Sequence, residues 1–112
     1  MNCKCCKHFH KSSALSVGET NLVISFTDSP TAADKDRFCF VICQPIPESG
    51  KTLPVQVVVN GVAVPLWNKY GDLVYGYDLK SRCCYKGFFG TGTANHVILN
   101  NFPVTTNCNC NG

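Results

Sequence analysis

Nine cysteines fall among the 112 residues of this chain, and seven of them sit in tight clusters: Cys3, Cys5 and Cys6 at the start, Cys83 and Cys84 inside, Cys108 and Cys110 at the end. Cys39 and Cys43 complete the set. Nine is odd, so intramolecular disulfides alone cannot use every thiol, and at least one is free, metal-bound or paired between molecules. Three chemistries are open to such a set. The first is disulfide formation, for which all nine are candidates. The second is metal binding: Cys3, Cys5, Cys6, His8 and His10 place five soft or borderline ligands within eight residues, adequate in type for zinc, with Cys108 and Cys110 able to supply a second pair. The spacing of this set is tighter than the two to four residues that separate ligands in familiar zinc sites. The third treats Cys39, Cys43 and one of Cys83 and Cys84 as small buried hydrophobes.

Geometry favours joining between molecules. Adjacent cysteines such as Cys5 and Cys6 rarely bridge each other, because a relaxed disulfide needs Cβ atoms about 3.8 Å apart and a narrow dihedral. An extended arm of about 18 residues spans roughly 60 Å, well beyond the radius of gyration of about 13 Å of a domain this size. In a strand, Cys83 and Cys84 point to opposite faces, one toward a core and one outward as an acceptor.

Catalytic chemistry finds little support. A thiol could pair with His96, yet no nucleophile turn surrounds any cysteine, and the expectation is a protein that is not an enzyme. Asp28, Asp34 and Asp36 lack the alternating ligands and central glycine of a calcium loop and read as a solvated acidic loop.

The elements that must position these cysteines follow from composition and pattern. The chain is 45% hydrophobic and 15% charged, enough apolar material for one domain with a real core. Valine, phenylalanine and threonine are abundant, and the fold class expected is all-β. Residues 1–20 read as a flexible Cys-rich connector arm, 21–104 as a β-sandwich body, and 105–112 as a Cys-containing tail. Within the body, strands are expected over 22–27, 37–44, 55–59, 62–66, 73–77, 82–89 and 96–102. Asn60 and Gly61 join two valine-rich runs as a type I′ hairpin, and Tyr70, Gly71 and Asp72 suggest a second. Seven to eight short strands at regular spacing suit an antiparallel β-sandwich or jelly roll. Most of Trp67, Tyr70, Tyr75, Tyr77 and Tyr85 are expected in a core or interface.

A net charge of +3 with two arginines, Arg37 and Arg82, makes no basic stripe, so no nucleic-acid partner is expected. The longest apolar stretch, Leu53 to Trp67, is interrupted by two prolines and a glycine and is no membrane-spanning helix. The opening segment has charges but no apolar h-region, so no signal peptide is evident. A Cys-rich domain made without export is consistent with oxidation after release of a spore or particle from a lysed cell.

A short arm bearing Cys3, Cys5 and Cys6, followed by a small β-body with strand cysteines, resembles the subunits of bacterial endospore appendage fibres. That resemblance implies a jelly roll that adds edge strands to its neighbours, with Cys5 and Cys6 as connector cysteines and Cys39, Cys83 or Cys84 as acceptors. The two histidines, the third arm cysteine, the basic arm and the Cys108/Cys110 pair depart from the family pattern. The stretch Pro65 to Tyr85 is also similar to small proteins of gut Firmicutes and their phages, a likeness that assigns no function. The expectation is a self-assembling structural subunit of an extracellular fibre or spore surface, locked by intermolecular disulfides. Its partners are copies of itself, with other coat or virion proteins as further candidates, and no cofactor is called for. The alternatives are a virion decoration protein and a zinc-stabilised binding module built on the Cys/His arm.

Overall fold

The computed structural model describes residues 10–27, 38–59, 61–89 and 97–105. Seven strands run in order: β1 (His10–Val17), β2 (Leu22–Phe26), β3 (Phe38–Val41), β4 (Val55–Val59), β5 (Val62–Asn68), β6 (Cys84–Phe89) and β7 (Val97–Thr105). They close into a barrel in the spatial order β1-β2-β4-β5-β7-β6-β3, with β3 returning to β1. Three antiparallel pairs are sequential: β1 with β2, β4 with β5, and β6 with β7. These pairs meet side by side through parallel contacts, β2 with β4 and β5 with β7. β3 completes the circle, antiparallel to β6 and parallel to β1.

The all-β class therefore stands, and the antiparallel sandwich or jelly roll is corrected to a mixed, closed barrel. Period-two alternation identifies a strand with one buried face, and it reads the same whether the sheet stacks on a second sheet or curls onto itself. Closure pairs both sides of every strand and removes the open edge that strand addition requires.

Alternation builds the barrel interior. Leu22 and Ile24, Val55, Val57 and Val59, Val64 and Leu66, and Val97 and Leu99 lie two apart on their strands, and they pack into one cluster with Phe40 of β3, Ile42 just past its end, Val74, Leu79, Cys83 and Tyr85. The β4–β5 hairpin turns as its sequence requires, with Val59 opposite Val62 and Gly61 at φ 77°, a conformation that glycine adopts without steric cost. At the second expected hairpin, the Asn68 side chain accepts from the Tyr70 and Asp72 backbone N–H groups, and Gly71 takes φ 88°. There the return is one bridge, Trp67 with Leu73, rather than a strand over 73–77. The chain passes instead into a 3₁₀ turn, Gly76–Asp78, set directly against the Glu48–Gly50 turn. A Cβ on Gly76 would lie 2.3 Å from the Gly50 carbonyl oxygen, so the contact needs glycine.

Two further expectations change. Eight residues of the segment 1–20 read as a flexible arm are β1, which moves the start of the body from Asn21 back to His10. Polar residues disguise this strand, since only Ser12 in it is fully buried and its register shifts between Ser12 and Ala14. Of the aromatic residues, Tyr85 is fully buried, Tyr70 and Tyr77 are exposed, and Trp67 and Tyr75 are intermediate. Tyr75 and Tyr77 stack on each other, with centroids 5.6 Å apart and planes 7° apart. The acidic loop with Asp28, Asp34 and Asp36, and His96, lie outside the described residues.

Candidate disulfide site on the barrel wall

β3 and β6 are neighbours, and their register sets Cys39 opposite Lys86, Phe40 opposite Tyr85 and Val41 opposite Cys84. Phe40, Ile42, Cys83 and Tyr85 point inward to the core cluster. The residues between them, Cys39, Val41, Cys43 and Cys84, therefore share the outer face of the wall. Three of these four are cysteines, and all three, Cys39, Cys43 and Cys84, are disulfide-bonded. Although this face turns away from the core, Cys39, Val41 and Cys84 keep only 3%, 1% and 0% of their surface exposed.

Inward from this wall runs a chain of rings. Tyr85 stacks on Phe40 at 5.6 Å and 28°, Phe40 meets Phe26 edge to face at 5.8 Å, and Phe26 meets His10 at 6.2 Å. Such offset and T-shaped pairs contribute about 0.5–1.5 kcal/mol each beyond their buried area. The Tyr85 hydroxyl accepts a hydrogen bond from the Lys80 backbone N–H at 2.8 Å. Burial pushes the Tyr85 phenol up to about 12, with the Lys80 hydrogen bond opposing and the charges of Cys83 and Asp78 adding to the rise.

Cys83 is the free thiol among the described cysteines, and it is buried in the core. Burial raises its pKa, partly offset by Lys80. The attacking species in disulfide exchange is the thiolate. Cys83 is thus kept from the bond made by its neighbour Cys84 in two ways, because the two side chains point to opposite faces and the buried thiol resists ionisation.

A polar clamp fixes the chain just past β3, at Cys43 and Gln44. The Cys43 backbone N–H donates to Ser12 Oγ at 2.7 Å, Ser12 Oγ donates to Gln44 Oε1, and Gln44 Nε2 donates back to the Ser12 carbonyl at 2.9 Å. These three bonds tie β1 to β3 beyond their short ladder of His10 with Phe40 and Lys11 with Val41. Sequence reasoning missed Ser12 and Gln44, because neither belongs to a motif and their partnership spans 32 residues.

Of the residues singled out for chemistry, the fold gathers Cys39, Cys43 and Cys84 and sets Cys83 apart. Cys3, Cys5, Cys6, Cys108, Cys110 and His8 lie outside the described residues. His10, the remaining member of the zinc set, sits on β1 against Phe26. Among the described residues, no group of three His, Cys, Asp or Glu side chains is placed to hold a metal ion, and no helix is long and apolar enough to cross a membrane. No protein-family model, no curated protein and no solved structure matches this chain.

Proposed function

We propose that the chain is a non-enzymatic, self-assembling structural subunit of an extracellular fibre or spore-surface appendage, with copies joined by intermolecular disulfides. The observation that carries this reading is the allocation of sulfur. Cys39, Cys43 and Cys84 are bonded on one wall and Cys83 is withdrawn into the core, which leaves Cys3, Cys5, Cys6, Cys108 and Cys110 in the terminal segments. Five terminal cysteines exceed three wall cysteines, so sulfur remains for bonds to other molecules even when every wall cysteine is matched from a terminus. Because the barrel is closed, the link between copies falls to the terminal cysteines and not to edge strands. Bonds to buried wall sulfurs also suit a durable assembly, since exchange needs access of a thiolate to the bond.

The test is electrophoresis of the oxidised protein, boiled in detergent with and without reductant, together with electron microscopy of the same sample. A covalent ladder that collapses to one band on reduction, from a sample containing fibres, is the expected result. A single monomer band in both lanes would overturn the reading.

A further inference from the structure

The three bonded cysteines of the wall cannot reach one another. Cys39 lies on β3 and Cys43 two residues past its end, where Ile42 still bonds the Cys83 and Arg82 backbone; four residues of extended chain span about 13 Å, whereas disulfides hold Cα atoms within about 6.8 Å. Cys84 faces Val41, so Cys39 and Cys43 are its diagonal neighbours, two residues away on either side and about 7–8 Å off. Cys83 is free. The bonds of Cys39, Cys43 and Cys84 therefore lead out of the wall, and the sequence holds no other cysteines than those of the two terminal segments.

We propose that the outer face of β3 and β6 is a disulfide-lined seat for the chain's own terminal segments, chiefly the tail 106–112, held through Cys108 and Cys110. Barrel order carries the inference: β1 and β7, the strands that lead to the two terminal segments, flank the β3–β6 pair on either side. Thr105, the last residue of β7, stands opposite Cys84. β7 ends there directed toward the end of the wall where Cys43 lies, since β6 runs antiparallel to both β7 and β3. Cys108 is three residues on and Cys110 five, reaches of about 10 and 17 Å. One strand spacing of about 4.8 Å separates β7 from β6, and two separate it from β3. The tail thus reaches Cys84 and Cys43. Cys39 lies at the opposite end of β3, beside the start of β1, where His10 pairs with Phe40, and Cys5 or Cys6 reaches it from there. A seated segment also accounts for the near-complete burial of Cys39, Val41 and Cys84 on a face turned away from the core.

Each bond forms when two thiols lose two protons and two electrons to one low-molecular-weight disulfide, which leaves as two thiols. Oxidised glutathione is the reagent for the test. The reduced protein, an equal mixture of isotopically heavy and light chains, is oxidised with it, and the whole product, monomer and oligomers together, is digested with trypsin without reduction. Peptides 83–86 and 38–51 are expected joined to 87–112, with fragmentation assigning Cys84 and Cys43 to Cys108 and Cys110. Cys39 is expected joined to peptide 5–7. Every link at Cys43 and Cys84 is expected between peptides of one isotope. A direct link between peptides 38–51 and 83–86, or a Cys39–Cys43 loop, would overturn the seat. Heavy–light links at Cys43 or Cys84 would overturn the own-chain occupant while supporting the interchain assembly. Same-isotope links with no ladder on the gel would keep the seat and sink the fibre. In the Cys108→Ser/Cys110→Ser double variant, iodoacetamide is expected to label two additional cysteines, Cys43 and Cys84, with Cys39 still protected. Continued protection of both, in a variant that keeps its β-sheet circular dichroism, refutes the tail.

Discussion

Replacing Ser12 by alanine tests whether the polar clamp at the end of β3 holds β1 in the barrel. The substitution removes one oxygen from a residue 3% exposed and leaves the backbone of β1 unchanged. Two hydrogen bonds go: the one that Oγ accepts from the Cys43 N–H at 2.7 Å and the one it donates to Gln44 Oε1. Gln44 is partly exposed, so its oxygen recovers water and that loss is about 0.5–1 kcal/mol. The Cys43 N–H is the costlier orphan, at about 1–2 kcal/mol for a part-buried donor left without an acceptor. The bond from Gln44 Nε2 to the Ser12 carbonyl survives. The sum is about 2 kcal/mol, or roughly 8 °C in Tm for a domain of this size. Urea unfolding under oxidising conditions measures it, with Ser13→Ala as the control, because Ser13 is exposed on the same strand and its loss is expected within about 0.5 kcal/mol. Equal midpoints for the two variants would refute the clamp.

Gly76→Ala drives a Cβ to 2.3 Å from the Gly50 carbonyl oxygen and 2.9 Å from Lys51 Cα. Both obstacles are backbone, so we expect a loss of about 3 kcal/mol or more by urea unfolding, whereas Gly71→Ala meets open space and carries only the cost of its positive φ. Stability is expected to fall at alkaline pH. Tyr85 and Cys83 both have raised pKa values in the folded state, so their contribution is complete below their ordinary values; that of Tyr85 is lost as pH rises from 10 toward about 12, and that of Cys83 as pH rises beyond 9. Tyr85→Phe should flatten that decline above pH 10 in a pH-dependent unfolding series while lowering stability at pH 7 by about 1 kcal/mol through the orphaned Lys80 N–H. Native-state alkylation at pH 8 should leave Cys83 unlabelled, with mass spectrometry finding it modified only after denaturant is added; rapid labelling of the native protein would contradict its burial.

The sulfur chemistry was legible in part. The odd count and terminal clustering of the cysteines raise the question of where the bonds go, and strand alternation alone places Cys83 and Cys84 on opposite faces. Which of the pair faces the core depends on the register of β6 against β3, a contact between segments more than 40 residues apart. That Cys39, Cys43 and Cys84 share one wall follows from the same pairing. The clamp by Ser12 was not legible, because a serine among other polar residues carries no mark of the distant N–H it will accept from.

The amino-acid order by itself determined where most strands lie, since alternating valine, leucine, isoleucine and phenylalanine residues make one apolar face wherever the chain is extended, and Asn60-Gly61 supplies the turn between two of them. It also determined that the cysteines exceed what internal pairing can use. Only the tertiary structure decided that the sheet closes, that a polar stretch from His10 to Val17 is one of its strands, and that three hairpins meet through parallel contacts. The physical reason is range. Alternation and turn chemistry act over a few residues, whereas closure depends on strands far apart in sequence completing one another's hydrogen bonds around a shared core. A local apolar face fits a sandwich and a barrel equally well.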